Sequence, residues 1–351
     1  VFRHLFSLVL FKTNKNCLNK TKVMTTKLRF SKLIGAALLV LSLTAAVSSC
    51  KKDDDGNNNP ATNTITDKVV ADPSFSLLEK AVVKAGLQTT LAGTGPFTVF
   101  APNDAAFAAS GITSASIDGM SADFLRKLLL YHTLTSKILA ADVPAGPNAK
   151  VLTANNPSDS IFVTRNAAGV FVNGIKVNTA NVSADNGVIH ILDKVLIPAG
   201  GNMVATAQAN SGGDTGLDSL VVAVVRADAA APGLINLLNS NTLTVFAPTN
   251  LAFRNLLSAL SLNSINDIPI ATLQAVLTYH VKTGRAFSSD LSNGNIQMFS
   301  GSNATVNLTN GSGGGPTITG SGNAGAVSNI IGTNVMATNG VVHVIDKVLL
   351  P

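Results

Sequence analysis

Residues Phe97–Phe107 read FTVFAPNDAAF, and residues Leu243–Phe253 read LTVFAPTNLAF. In each copy an alternating apolar run ends in Ala-Pro and a short turn containing Asn or Asp, the pattern of a strand running into a capped helix. Two later landmarks recur in the same order. Leu130-Tyr131-His132 answers to Thr278-Tyr279-His280, and GVIHILDKVLIP (187–198) answers to GVVHVIDKVLLP (340–351). Three landmarks in one order, twice, imply two homologous domains. The expected limits are 65–198 and 213–351, with a linker over 199–212, and each domain is long enough to enclose its own core.

Of the 351 residues, 46% are hydrophobic and 13% charged. Asn, Thr, Ser and Gly take the place of charge, so the surface reads as neutral and polar. The formal charge of +6 comes from the first 49 residues, which hold 8 of the 25 basic side chains and no acid. The remainder carries 17 basic and 19 acidic residues. A nucleic-acid partner is therefore not expected.

The same 49 residues read as a leader. Met24 is a plausible initiator, Lys27, Arg29 and Lys32 form a positive segment, and 33–47 is a short apolar run. Val47-Ser48-Ser49-Cys50 resembles a bacterial lipobox, with Cys50 as the acylated residue; a plain secretory signal is the alternative. Cleavage there removes Cys17 and leaves no free thiol, which excludes thiol catalysis and zinc thiolate sites. Residues 50–64 read as a flexible tether. Lys followed by acids behind the cysteine resembles the export signal of outer-membrane lipoproteins of the Bacteroidetes type, which favours the cell surface over a periplasm-facing position.

Within the first domain, Asp72-Pro73-Ser74 opens a helix whose apolar face is Phe75, Leu78, Val82 and Val83, with Gly86 as its stop. Phe100 lies in the strand that Pro102 closes, and Asn103 or Asp104 caps the helix that follows. Phe246, Pro248 and Asn250 stand in the corresponding places of the second domain, so a carboxylate at this position is not common to both. Ser121 caps a helix carrying Phe124, Leu125, Leu128 and Leu129 and ending at Tyr131-His132. These two residues, like Tyr279 and His280, are read either as packed core or as a shared recognition surface. Asn173-Gly174 signals a hairpin, and Asp185-Asn186-Gly187 a turn into a strand over 188–197. His190 and Asp193 fall on opposite faces of that strand, which argues against a catalytic pair. His343 and Asp346 repeat them in a strand over 341–350. The glycine-rich run 310–325 lacks the Lys-Ser/Thr of a phosphate loop and reads as a long hairpin loop. No nucleophile elbow or metal-binding His pattern occurs, so no catalytic residue, metal or cofactor is expected.

The TVFAP segment, the mid-domain Tyr-His and the closing NGV-x-H motif together resemble the fasciclin (FAS1) domain. The resemblance implies a mixed, mainly β fold: a wedge-shaped β-sandwich of about seven strands with helices packed at one side. It also implies an extracellular or surface-anchored module associated with adhesion. In animal members the Tyr-His region is linked to receptor binding, a role that does not transfer to a bacterial lipoprotein. The expected function is a non-enzymatic surface adhesion or matrix-binding lipoprotein, held to the outer membrane by its lipid and binding a surface protein or a polysaccharide. The alternatives are an assembly partner within the envelope and, third, a small-ligand binder or enzyme.

Overall fold

The computed structural model describes residues 63–155 and 159–351; the expected leader, Cys50 and the tether up to residue 62 lie outside them. Thr64, expected in the tether, already belongs to the first domain. Its hydroxyl accepts the Asp67 N–H, and the Asp67 carboxylate accepts the Thr64 N–H, a reciprocal cap for helix α1 (Ile65–Ala71). Helices α2 (Ser76–Ala85) and α3 (Gln88–Leu91) follow. Gly86 ends α2 in the left-handed region at φ 64°, as expected for a glycine stop. Strand β1 (Phe97–Pro102) leads into α4 (Asp104–Ala109), α5 (Ser114–Gly119) and α6 (Ala122–Tyr131). Six strands complete the domain: β2 (Thr133–Leu134), β3 (Gly146–Leu152), β4 (Ser160–Asn166), β5 (Gly169–Val172), β6 (Ile175–Ala184) and β7 (Gly187–Leu192).

The second domain repeats this plan. Helices α7 (Met203–Ala209), α8 (Asp218–Ala230) and α9 (Leu234–Ser240) precede β8 (Leu243–Pro248), α10 (Asn250–Ala259) and α11 (Ile270–Tyr279). Then come β9 (Val281–Thr283), β10 (Gly294–Gln297), β11 (Asn303–Asn307), β12 (Thr317–Gly320), β13 (Ser328–Ala337) and β14 (Gly340–Ile345). The strand order is β2-β1-β7-β6-β5-β4-β3 in the first sheet and its counterpart, β9-β8-β14-β13-β12-β11-β10, in the second. Two expectations change here. The linker 199–212 contains α7, capped by Asn202 and seated through buried Met203 in the second core, so the second domain begins there. The glycine-rich run contains β12, because Thr317 and Ile318 supply a buried, β-prone pair between its glycine-rich flanks.

The repeated motif strands lie side by side, second and third from one end of each sheet. β1 pairs in parallel with β7, and β8 with β14. Both faces of β1 are covered, which is why its sequence is apolar almost throughout. Val99 and Ala101 face the helices; Phe100 joins a second cluster with Leu192 of β7, Ile161 and Val163 of β4 and Val172 of β5. Strands far apart in the sheet therefore meet across one apolar layer, giving the sandwich that the resemblance implies. Gly187 and Gly340 allow the parallel pairing. A Cβ on either would lie 2.1 Å from the Phe97 carbonyl oxygen or 2.0 Å from that of Leu243. Val83 and Phe124, expected on buried faces, are exposed. Among the described residues no single helix is long and apolar enough to cross a membrane.

Candidate functional site

The Tyr-His pairs end α6 and α11, and there they tie the three repeated landmarks together. His132 is buried at the helix end. Its Nδ1 donates to the Leu128 carbonyl at 2.8 Å, and its Nε2 accepts the Leu196 N–H at 2.9 Å. His280 does the same between the Val276 carbonyl (2.7 Å) and the Leu349 N–H (2.9 Å). These partners fix a neutral ring with its proton on Nδ1. Burial pushes each pKa down to about 4. The backbone of His132 accepts the Phe100 N–H at 2.9 Å, so one residue joins β1, α6 and the closing segment. This explains a difference from the sequence expectation: β7 and β14 stop at Leu192 and Ile345. The chain then leaves the ladder, and its Leu196 and Leu349 N–H groups go to the histidines.

Tyr131 and Tyr279 are equally buried. The Tyr131 hydroxyl donates to the Ser160 carbonyl at 3.1 Å and accepts from the Asn173 amide at 3.0 Å. Burial pushes its pKa up to about 12. Tyr279 donates to the Asn303 carbonyl and accepts the Ser321 N–H. The packed-core alternative describes both pairs; neither offers a side chain to a partner.

Asp104 does not cap its own helix. Asn103 does, by accepting the Ala106 N–H at 2.9 Å, and Thr249 does so for α10. Asp104 instead reaches the start of α2, accepting the Ser76 hydroxyl at 2.6 Å and the Leu77 N–H at 2.9 Å. Asn250 serves α8 in the same way, accepting the Ser219 N–H and donating to Asp218 at 2.7 Å. Hydrogen bonds from the Asn250 amide and the Gly212 N–H hold Asp218 below the usual carboxylate range. The acidic partner has changed sides between the domains, but the junction of helices is the same. Asp193 and Asp346 fasten the strand exits, accepting from Asn178 and from Asn329. His190 and Asp193 have separate partners and form no pair.

His190 and His343 hold a short strap that follows β2 and β9. In the first domain the strap is 137–142; in the second it is 285–290. His190 Nε2 donates to the Ile138 carbonyl and His343 Nε2 to the Ala286 carbonyl, each at 2.9 Å. Thr98 and Thr244 accept the Ile138 and Ala286 N–H groups at 2.9 Å. Asp142 and Asp290 accept the N–H groups of Leu139 (2.9 Å) and Phe287 (2.8 Å). Each histidine ring also stacks on the motif phenylalanine, Phe100 or Phe246, at 5.4 and 5.5 Å.

The strap of the second domain is where the domains meet. Arg285 lies over the Phe162 ring, its guanidinium carbon 4.2 Å from the centroid, while its N–H groups donate to the carbonyls of Ala337, Thr338 and Gly340. Asn148 donates to the Arg285 carbonyl at 2.7 Å, Thr164 to Asp290 at 3.2 Å and Asn166 to the Ser289 carbonyl at 3.0 Å. Asn334 donates to the Gly174 carbonyl at 3.2 Å. Gly174 follows Asn173 in the expected hairpin turn, both at positive φ. A Cβ on Gly174 would fall 2.7 Å from that of Phe287. Apart from Gly174, none of these junction residues stands out in the sequence, because the two partners come from unrelated stretches of different domains. Asn186 and Asn339 read only as turn residues. Asn186 accepts the Ile65 N–H and donates to the Leu91 and Gly93 carbonyls, and Asn339 holds Met203, Leu238 and Asn241 in the same way. The repeated Asn-Gly-Val is the signal that marks them.

An apolar seam runs between the first helices and β1 to His132, and a matching seam runs to His280. The voids are about 20 and 40 Å³, room for a few water molecules. Among the described residues no group of three or more His, Cys, Asp or Glu side chains is placed to hold a metal ion.

The family comparison agrees with the repeat. The chain is 37% identical over 137 residues to protein sll1483 of Synechocystis, covering 38% of this chain and 73% of that protein. It is 26% identical over 270 residues to human periostin, 76% of this chain and 29% of periostin. A solved FAS1 domain pair from the insect cell adhesion molecule fasciclin I aligns at 18% identity and a TM-score of 0.36, covering 82% of this chain and 96% of that one. The fasciclin domain profile matches residues 73–198 and 221–351, most of the chain and both copies of the repeat. The chain belongs to the fasciclin domain family and carries two such domains in tandem.

Proposed function

We propose that this protein is a non-enzymatic surface adhesion lipoprotein, acylated at Cys50 and held to the outer membrane, whose paired domains bind a protein on another surface. One observation carries the reading. All four histidines among the described residues are buried, each with a backbone carbonyl as partner, and both tyrosines are spent inside the domains. The part left to bind is the outside of two docked modules. Fasciclin domain proteins are involved in cell adhesion and matrix binding, in keeping with that use. Two weak sites held on one body also gain avidity without any new contact.

Protease shaving of intact cells, with and without Cys50→Ala, tests the proposal. Loss of membrane-bound protein on shaving, together with release of the variant from the membrane, supports an outward-facing anchored adhesin. Full protection beside an accessible control protein places the domains inside the envelope and makes an assembly role the better reading.

A further inference from the structure

The junction uses one strap and one sheet face, and each domain has both. The strap of the second domain sits on the sheet face of the first. That leaves the first domain's strap and the second domain's sheet face without the other domain as a partner among the described residues. The two straps are chemically alike. Lys137, Leu139 and Asp142 stand where Arg285, Phe287 and Asp290 stand, a register fixed by the shared histidine, threonine and aspartate hydrogen bonds. Their burial differs as a covered and an uncovered surface should: Phe287 is 0% exposed, whereas Leu139 is 36% exposed.

The two sheet faces are also in register. The Tyr131 and Tyr279 hydroxyls donate to Ser160 and Asn303, and the ladders continue from there. Thr305 therefore occupies the place of Phe162 and Asn307 that of Thr164, and Asn293 precedes β10 at the edge where Asn148 lies in a bulge of β3. Asn293 uses its amide oxygen on the Leu308 N–H, and Asn307 uses its own on the Thr309 N–H. The amide nitrogens of both stay on the donor side, as in the in-chain contact, where Asn148 donates to the Arg285 carbonyl and Thr164 to Asp290.

We infer that the strap 137–142 is a docking surface for the sheet face of the second domain of another copy of this chain, so that copies associate head to tail. Such a contact joins unlike surfaces and does not close on itself, so it builds open rows of modules continuing the in-chain arrangement. Thr305 offers no ring to Lys137, and separate copies lack the effective concentration of about a millimolar that a short connection supplies. The copy-to-copy contact is therefore weaker than the junction and belongs to crowded protein. This inference stands on the junction and not on the adhesion reading.

Disulfide trapping on full-length chains tests it. Two differently tagged preparations, one Lys137→Cys and one Thr305→Cys, both with Cys17→Ser and Cys50→Ser, are mixed and oxidised. The expected result is a mixed dimer, with its yield cut about tenfold, equivalent to about 1.4 kcal/mol, when Leu139→Asp is added to the first. A control partner carrying Ile331→Cys, at a site 51% exposed but outside the surface, should give little product. In a separate mixing, Thr305→Phe added to an Asn307→Cys partner should raise the yield. Equal yields from the Thr305→Cys and Ile331→Cys partners, or no response to both Leu139→Asp and Thr305→Phe, overturn the inference. All the substituted strap and sheet positions are solvent-accessible, and an unchanged thermal transition in each variant confirms that the fold is intact.

Discussion

The buried histidines make the stability of this protein depend on pH below about 6.5. His132 and His280 titrate near 6.5 when unfolded and at about 4 when folded. The folded ring resists the proton because burial penalises the charge and because Nε2 is already occupied as an acceptor. Between pH 6.5 and 4 the unfolded chain therefore binds the proton and the folded chain does not, so stability is full above pH 6.5 and declines as pH falls to 4. A gap of about 2.5 units at 1.36 kcal/mol each gives roughly 3 kcal/mol per site when the decline is complete, and about 2 kcal/mol at pH 5. That is a large part of the 5–15 kcal/mol typical of a domain. Gln offers one donor and one acceptor without titrating, so His132→Gln and His280→Gln should each remove one such increment from the denaturation free energy plotted against pH. A residual slope stays, because burial also holds His190 and His343 down. Urea denaturation from pH 8 to 4.5 measures the slope, and proton NMR of the wild-type rings provides a check that needs no variant. An unchanged slope in the double variant, or rings of His132 and His280 titrating near 6.5, refutes the reasoning.

Three further outcomes follow from the packing. Arg285→Ala removes a half-buried cation–π contact and three carbonyl bonds, a loss of about 2 kcal/mol or more, and should split a single calorimetric transition into two. One transition at an unchanged temperature would show that the domains are not coupled through it. Gly187→Ala drives a Cβ into the Phe97 carbonyl and should cost about 3 kcal/mol by chemical denaturation, the upper end of overpacking. Asp104→Ala takes an acceptor from the first turn of α2 and should cost about 1 kcal/mol, while Asp104→Asn with Ser76→Asp rebuilds the arrangement of the second domain and should recover it.

The repeat, the domain count and the starts of α2, α4 and α6 are legible in the sequence because they rest on local signals: capping residues, Asn-Gly turns and apolar periodicity. The separation of His190 from Asp193 is legible for the same reason, whereas the burial of His132 is one of two readings the sequence allows. What the sequence hides is non-local. Asp104 looks like a cap and is one, but for α2, far from it in the chain. The closing strand looks four or five residues longer than it is, since an apolar run does not reveal that Leu196 and Leu349 give their N–H groups to a histidine. Strand β12 is masked by its glycine-rich flanks. The junction has no sequence signature, because Arg285 and Phe162 become a pair only after both domains have folded.

The central claim is that the repeated motif residues hold the domains together and that binding lies on their outer surfaces. Tyr131→Phe with Tyr279→Phe tests it most directly, since it removes two buried hydroxyls without altering any exposed group. Each loss leaves a buried partner unsatisfied and should lower stability by about 1–3 kcal/mol. Attachment of cells displaying the variant to a protein-coated surface, measured below the unfolding transition, should match wild type while the denaturation midpoint falls. Lost attachment with an unchanged midpoint would contradict the account and return the Tyr-His pairs to a role in recognition.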